Sequence, residues 1–169
     1  MLTASDVEVR PYSNCSTWKN FQCEKQEYSD FVINQTEAAK FHKQKLGVTY
    51  EFWNQGFPVG YVTLAMASLQ RKELPTERKE EKPYRHVPSL LLGQMARDKR
   101  HKGKGLGKIM VDFVIDKANK LGKEVGCRFV IVDSERDQVA RYEKFGFEAL
   151  PADTNAKTVL MFFDLGHEP

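Results

Sequence analysis

A glycine-rich segment directly before an amphipathic pattern is the feature of this sequence best suited to chemistry. It reads Gly103-Lys104-Gly105-Leu106-Gly107 and is flanked by Lys102 and Lys108. Glycines let the backbone approach a phosphate and adopt the positive φ angles that aim successive N–H groups at it. The first turn of a helix adds unpaired N–H groups and the positive end of the helix dipole. The segment therefore predicts a binding site for a phosphorylated ligand.

Two common nucleotide-binding motifs do not fit this segment. The P-loop pattern G-x-x-x-x-G-K-[ST] needs glycine where Lys102 stands and serine or threonine where Ile109 stands. The dinucleotide fingerprint G-x-G-x-x-G fails because the third glycine arrives too early, at Gly107. A glycine-rich connection that binds no ligand is the structural alternative.

The segment resembles the motif [QR]-x-x-G-x-[GA] of the GNAT N-acetyltransferases, with Lys102 where that family prefers glutamine or arginine. Residues 140–147, ARYEKFGF, resemble the family's F-Y-E-x-x-G-F, with Arg141 in place of the aromatic residue. Four further blocks resemble the subgroup that acts as toxins in toxin–antitoxin modules: FQC at 21–23, GYVTL at 60–64, PSLLLGQMARD at 88–98 and MFFDL at 161–165. The resemblance thus covers most of the chain.

The resemblance implies that acetyl-CoA is the acyl donor and that a substrate amine attacks its thioester directly. Backbone groups at the end of a strand would hold the pantetheine arm, and the glycine segment would hold the pyrophosphate. The implied cofactor-binding residues are Met95, Ala96, Arg97, Lys102, Gly103, Lys104, Gly105, Leu106, Gly107, Lys108 and Lys144. Tyr142 matches the family tyrosine whose phenol protonates the leaving thiolate. A packed aromatic side chain is the alternative for Tyr142, a surface lysine is the alternative for Lys144, and no general base is assigned.

A basic stretch suggests the acceptor. Residues 70–86 are mostly charged and almost free of apolar side chains, so we expect a mobile loop there. The toxin-like blocks imply that the acceptor is the amino acid on a charged tRNA, whose phosphates this loop would contact. The candidate contacts are Arg71, Lys72, Arg78, Lys79, Lys82 and Arg85. Small amines or protein lysines are alternative acceptors, and a non-catalytic acyl-CoA- or RNA-binding module is the alternative outside the enzymes.

Composition indicates the setting in which the chain works. Three cysteines without a C-x-x-C pair and the lack of an apolar N-terminal run predict a reduced, cytoplasmic compartment. No apolar run is long enough for a membrane span, and histidines and cysteines lack metal-ligand spacing, so we predict neither membrane nor metal. The resemblance adds a small DNA-binding antitoxin as a partner, and it leaves a homodimer open.

The hydrophobic pattern predicts one domain over residues 1–169, with elements in a definite order. Strands are predicted at 7–11, 48–53, 57–64, 88–95, 127–133 and 158–163, the second and third as a hairpin around 54–56. Helices are predicted within 24–47, from Leu106 to Gly122 and at 139–144. We expect an α/β (α+β) fold of the GNAT type: a three-layer sandwich with a mixed, mostly antiparallel sheet of six or seven strands. Helices should cover both faces, and the central strands should splay beside the glycine segment.

Overall fold

The structure, a computed structural model of the chain, describes residues 1–34, 37–79 and 84–166. Its strands are β1 (Glu8–Pro11), β2 (Val48–Asn54), β3 (Phe57–Gln70), β4 (His86–Arg97), β5 (Phe129–Glu135), β6 (Glu148–Ala149) and β7 (Thr158–Asp164). Its α-helices are α1 (Gln26–Ile33), α2 (Glu37–Lys43), α3 (Thr76–Lys79), α4 (Leu106–Glu124) and α5 (Val139–Glu143). Short 3-10 turns precede or follow several of these elements.

The seven strands form one sheet in the order β1-β2-β3-β4-β5-β7-β6. The pairs β1–β2, β2–β3, β5–β7 and β6–β7 are antiparallel, and β4–β5 is parallel. The β4–β5 ladder ends where Leu92 pairs with Val132, although β4 continues to Arg97. The predicted α/β class, the mixed and mostly antiparallel sheet and the splay of its central strands are confirmed.

Contacts within the chain divide it into two compact units, each with its own apolar core. The first unit comprises Met1–Ala65 and Gly93–Asp112, and the second comprises Met66–Leu92 and Phe113–Pro169. Aromatic side chains dominate the first core, which contains Trp18, Phe21, Phe31, Val32, Ala38, Tyr61 and Ala96. The second core contains Leu69, Leu74, Val87, Phe129, Ile131, Leu150 and Phe162. Strands β3 and β4 each contribute residues to both units.

The end of α4 differs from its sequence prediction. We expected the helix to end at Gly122, but it continues to Glu124, and Gly126, with a φ of +87°, follows its end. The Gly126 N–H donates to the Leu121 carbonyl at 3.1 Å, an arrangement typical of a glycine that ends a helix. A Cβ at Gly122 would lie 3.1 Å from the Cys127 carbonyl oxygen, which explains a glycine inside the helix. Within the described ranges, no helix has the length and apolar character needed to cross a membrane.

The segment that we expected to be a loop is partly ordered. A 3-10 turn over Arg71–Glu73 and helix α3 occupy most of residues 71–79. Leu74 is buried in the second core, and the Arg71 N–H donates to the Arg85 carbonyl at 2.9 Å. A 3-10 turn and a helix therefore stand where we expected a mobile loop, and the apolar side chain of Leu74 anchors the segment. Residues 80–83 lie outside the described residues.

A buried carboxylate, Asp164, organises the polar contacts of the second unit. Its side chain is 3% exposed and accepts hydrogen bonds from Arg78 Nη1 and Arg128 Nη2, each at 3.1 Å, and from the Gly166 N–H at 3.0 Å. Arg78 also donates to Glu148 at 2.9 Å. Removing one partner of a buried ion pair leaves a charge without compensation, so this network ties α3 firmly to β6 and β7.

We expect Asp164→Asn to lower the free energy of unfolding by about 2–3 kcal/mol, because the amide N–H₂ would face two guanidinium donors. Urea denaturation of both proteins measures the difference. Asp133→Asn, on the exposed face of β5, is the control and should change stability by less than about 0.5 kcal/mol. Equal midpoints and slopes for Asp164→Asn and the unmodified protein would contradict this role.

Candidate functional site

Strand β3 determines where the last residues of β4 lie. Thr63 Oγ1 accepts the Gln94 N–H at 2.6 Å, and a Cβ at Gly93 would lie 2.8 Å from that oxygen. A Cβ at Gly60 would lie 2.9 Å from the Ala96 carbonyl oxygen. Only glycine allows these close approaches, so the block at 60–64 that the sequence singled out positions the backbone of residues 94–96.

Tyr61, in the same block, joins the end of β4 to α1. Its ring is fully buried and stacks on Phe31 with centroids 5.7 Å apart. Its hydroxyl lies 2.8 Å from the Tyr28 carbonyl oxygen and 2.9 Å from Gln94 Oε1. Burial raises the pKa of Tyr61 far above its usual value, so this hydroxyl stays protonated and serves as a hydrogen-bonding contact.

The glycine segment connects β4 to α4, and two of its three glycines have the positive φ angles that the sequence suggested, whereas Gly107 lies inside α4 without one. Gly103 and Gly105 have φ angles of +74° and +87°, and α4 begins at Leu106. Among the described residues, no backbone carbonyl accepts the N–H groups of Gly103, Gly105, Leu106 or Gly107. These four donors lie at the positive end of a 19-residue helix, an arrangement that binds phosphates.

The N-terminal residues support the carbonyl side of this glycine turn. The Leu2 N–H donates to the Lys104 carbonyl at 2.8 Å. A Cβ at Gly105 would lie 3.1 Å from Met1 Sδ and 3.4 Å from the Leu2 carbonyl oxygen. Glycine is therefore needed at position 105 for two reasons: the positive φ angle and the close approach of the N-terminal residues. Sequence reasoning missed the contact because a backbone N–H gives no signal in residue identity.

The lysines that flank the turn have acidic partners. Lys102 Nζ lies 3.1 Å from Glu24 Oε1, and Arg97 Nη2 donates to the same oxygen at 3.3 Å. The hydrogen bond from Lys102 lowers the pKa of Glu24 against the opposing effect of burial, and Arg97 adds to the lowering. Lys108 pairs with Asp112 one helical turn away. Exposed pairs of this kind contribute little stability, so both lysines can exchange these partners for a phosphate.

His101 contributes an unsatisfied nitrogen just before the turn. Its Nδ1 is buried and has no hydrogen-bond partner in the part of the chain that the structure describes. Burial, with Lys104 nearby, lowers the pKa of His101, so the ring is neutral at neutral pH. No group of three or more histidine, cysteine, aspartate or glutamate residues within the described ranges could hold a metal ion.

Tyr142 and Lys144 belong to the second unit, whereas residues 95–108 belong to the first. The ring of Tyr142 is 8% exposed and lies edge-on to Phe147, with centroids 5.5 Å apart. The Phe147 N–H donates to the Tyr142 carbonyl at 3.1 Å, and Gly146 has a φ of +88°. This tight turn after α5 fixes the tyrosine backbone, while the side chain of Lys144 is exposed.

The structure brings together four of the six predicted basic contacts and separates a fifth from them. Four basic side chains line an open depression of about 490 Å³: Arg71, Lys72, Lys79 and Arg85. Arg78 instead points its guanidinium at Asp164 and Glu148. Lys82 lies outside the described residues. The depression therefore concentrates four basic side chains on one part of the surface of the second unit.

Comparisons with known proteins agree on the type of domain. Residues 88–163 match the family described as the acetyltransferase (GNAT) domain. A tRNA-acetylating toxin from Mycobacterium tuberculosis is 30% identical over 107 residues. That match covers 63% of this chain and 64% of the toxin, less than two thirds of its length.

Solved structures share the fold over nearly the whole chain. The crystal structure of a tyrosine-to-phenylalanine mutant of KacT has a TM-score of 0.84 at 23% identity and covers 95% of each chain. AtaT complexed with acetyl-methionyl-tRNAfMet has a TM-score of 0.83 at 20% identity, covering 94% of this chain and 95% of AtaT. A mutant AtaT toxin bound to acetyl-CoA and the C-terminus of the antitoxin AtaR has a TM-score of 0.74 at 17% identity, covering 95% and 94%.

We expect Gly103→Glu to lower the affinity for acetyl-CoA at least about tenfold, because a carboxylate would occupy the phosphate side of the glycine turn. A Cβ at Gly103 meets no atom within 4 Å, so the substitution adds a charge and the backbone strain of a positive φ but no clash with a neighbour. Gly126→Glu is a matched control, since Gly126 also combines a positive φ with open space. Calorimetry that gives the same affinity for both variants would show that the turn is not the phosphate site.

Proposed function

Because residues 88–163 match the acetyltransferase (GNAT) domain family and the KacT structure shares the fold, we propose that this chain transfers an acetyl group from acetyl-CoA to a primary amine. The glycine turn carries the proposal: among the described residues, four N–H groups without a backbone acceptor lie between the Lys99–His101 turn and the first residues of α4. We extend the proposal to residues 1–169 as one acetyltransferase domain. Consumption of the thioester in the presence of candidate amines tests it.

The proposed mechanism assigns a task to each segment. The backbone at residues 95–97 holds the pantetheine arm as an added strand and polarises the thioester carbonyl. Residues 102–108 hold the pyrophosphate, and Lys144 contacts the ribose phosphate. The amine nitrogen forms a bond to the carbonyl carbon as the carbon–sulfur bond breaks. Tyr142 gives its phenolic proton to the departing thiolate, the amine releases a proton to solvent, and the Tyr142 phenolate regains a proton from solvent.

We expect Tyr142→Phe to lower kcat about 10- to 100-fold while the KM for acetyl-CoA changes less than about threefold, because only the proposed proton donor is lost. The phenyl ring preserves the edge contacts to Phe145 and Phe147. Steady-state kinetics provides the measurement, and thermal unfolding checks that the variant is folded. Unchanged kcat would reduce Tyr142 to a packing residue.

We further propose that the acceptor is the amino acid on a charged tRNA. The basic depression lined by Arg71, Lys72, Lys79 and Arg85 supports this substrate, because a cluster of cations attracts the phosphate backbone of RNA. The similar toxin from Mycobacterium tuberculosis acetylates tRNA, and AtaT was solved with an acetylated aminoacyl-tRNA. Arg78 is left out of the contact surface because it is paired with Asp164. Small amines or protein lysines are the competing acceptors.

We expect the affinity for charged tRNA, and with it the rate of acetyl transfer below saturation, to fall steeply as the salt concentration rises, since each phosphate contact releases counterions. The triple variant Lys72→Gln, Lys79→Gln, Arg85→Gln should reduce the slope of log affinity against log salt by about 2–3. The double variant Lys120→Gln, Lys123→Gln on the exposed surface of α4 is the control and should leave the slope unchanged.

Efficient acetylation of a free polyamine or a peptide lysine, with no transfer to charged tRNA and no salt slope, would replace this acceptor with the small-amine alternative. Binding of acetyl-CoA or RNA without any transfer would instead indicate a non-catalytic module.

We also propose a biological setting for the activity. Modification of charged tRNA places the protein in the cytoplasm as a toxin that inhibits protein synthesis. A small DNA-binding antitoxin would then neutralise it, as the complex of AtaT with AtaR suggests. Copurification with the product of a neighbouring gene tests this partner, and light scattering tests a homodimer.

A further inference from the structure

Asp98 is the most completely buried charged side chain beside the glycine turn. Its side chain is 0% exposed and receives four hydrogen bonds. Oδ1 accepts the Arg100 N–H at 2.9 Å and Arg100 Nε at 2.7 Å. Oδ2 accepts the Gln22 N–H at 3.2 Å and Arg100 Nη2 at 2.8 Å. Arg100 therefore engages both oxygens, and the Gln22 N–H adds a donor from a separate segment of the chain at Oδ2.

The same carboxylate stands at a junction of three backbone segments. The Asp98 N–H donates to the Val59 carbonyl at 2.8 Å, and the Lys99 N–H donates to the Gln22 carbonyl at 2.7 Å. Arg100 Nη2 also donates to the Asn20 carbonyl at 3.0 Å. The block at 21–23, which has no assigned task so far, thus lies against the turn that follows β4.

Asp98 also begins the turn that leads into the glycines. It caps the 3-10 turn Lys99–His101 through the Arg100 N–H. The Lys102 N–H then donates to the Lys99 carbonyl at 3.2 Å, and the Lys104 N–H donates to the His101 carbonyl at 3.3 Å. A chain of hydrogen bonds that starts at Asp98 therefore holds the backbone that leads into residues 103–107.

An ionised carboxylate is the only side chain of this size that suits the site. It accepts hydrogen bonds at both oxygens, whereas an asparagine amide has one acceptor oxygen and would turn an N–H₂ group toward two donors. Burial alone would raise the pKa of Asp98, but the hydrogen bonds from Arg100 and from the Arg100 and Gln22 backbone lower it. Asp98 is therefore ionised at neutral pH, with Arg100 as its counterion.

We propose that Asp98 is a positioning residue for the pyrophosphate of acetyl-CoA: it holds the Lys99–His101 turn against residues 20–22 and so aims the N–H groups of the glycine turn. The inference rests on the proposed acetyl-CoA-dependent function. Asp98 contacts neither acetyl-CoA nor the acceptor amine in this proposal. It acts through the backbone that follows it.

Asp98→Asn tests the inference with two acyl donors. With acetyl-CoA, we expect the KM to rise at least about tenfold, because a displaced glycine turn loses contacts to the pyrophosphate. The kcat at saturating acetyl-CoA should stay within about twofold of the value for the unmodified protein. With S-acetylpantetheine, which carries the thioester but no pyrophosphate, kcat/KM should equal that of the unmodified protein. Calorimetry with coenzyme A should show the same loss of affinity as the KM.

Asp164→Asn is the matched control, because Asp164 is another buried carboxylate bridged by arginine, in the second unit. It should lower stability without changing the KM for acetyl-CoA. Arg100→Gln is the second variant should Asp98→Asn fail to fold, since the Arg100 side chain is 62% exposed. It should raise the KM about three- to tenfold with acetyl-CoA only.

Three results would overturn the inference. The first is an unchanged KM for acetyl-CoA in a folded Asp98→Asn or Arg100→Gln protein. The second is a parallel loss with acetyl-CoA and S-acetylpantetheine, which would make Asp98 a general structural residue. The third is an equal rise in KM for Asp164→Asn. If the unmodified protein consumes neither donor, the proposed function itself is wrong, and that result is separate from any comparison of variants.

Discussion

Unpaired backbone N–H groups at the start of α4 are the constraint around which the first unit is built. A buried N–H without an acceptor is costly, so four consecutive or nearly consecutive ones persist only where solvent or an anion can reach them. The positive φ angles of Gly103 and Gly105 belong to a backbone conformation in which successive N–H groups can bind one anion. The Leu2 N–H donates to the Lys104 carbonyl and so supports the turn from the N-terminal segment.

Close packing determines the strand that leads into this turn. At Gly60, an added Cβ would meet the Ala96 carbonyl oxygen at 2.9 Å and Met110 Sδ at 3.0 Å. At Gly93 it would meet Thr63 Oγ1 at 2.8 Å. Protein interiors yield little to such overlaps, so a methyl group at either glycine would displace the end of β4. The position of the end of β4 therefore depends on the absence of a Cβ atom at Gly60 and Gly93.

The sequence predicted most elements because their signals are local. The hairpin turn has positive φ angles at Gln55 and Gly56, and glycine, which adopts such angles freely, is the local signal for it. The strands alternate or run apolar, and α4 repeats its apolar positions at helical spacing. The sequence predictions that were wrong concern segments whose structure depends on a contact with another part of the chain. Gly122 continues the helix because Cys127 approaches it. Leu74 orders its segment because a core formed by remote strands receives it.

The roles of basic residues at the candidate site could not be told apart from the sequence for the same reason. Arg78 and Lys79 are neighbours with the same sign, so composition alone assigns them the same task. The fold divides them, because Arg78 faces Asp164, 86 residues away, while Lys79 lines the basic depression. The two arginine contacts of Asp164 compensate a carboxylate that burial would otherwise penalise. We therefore expect neutralising Arg78 to destabilise the second unit, and a loss of activity in that variant would resemble the loss of a substrate contact. A buried ion-pair partner identifies the basic side chains whose charge the core needs, and only the other basic side chains can report on substrate binding.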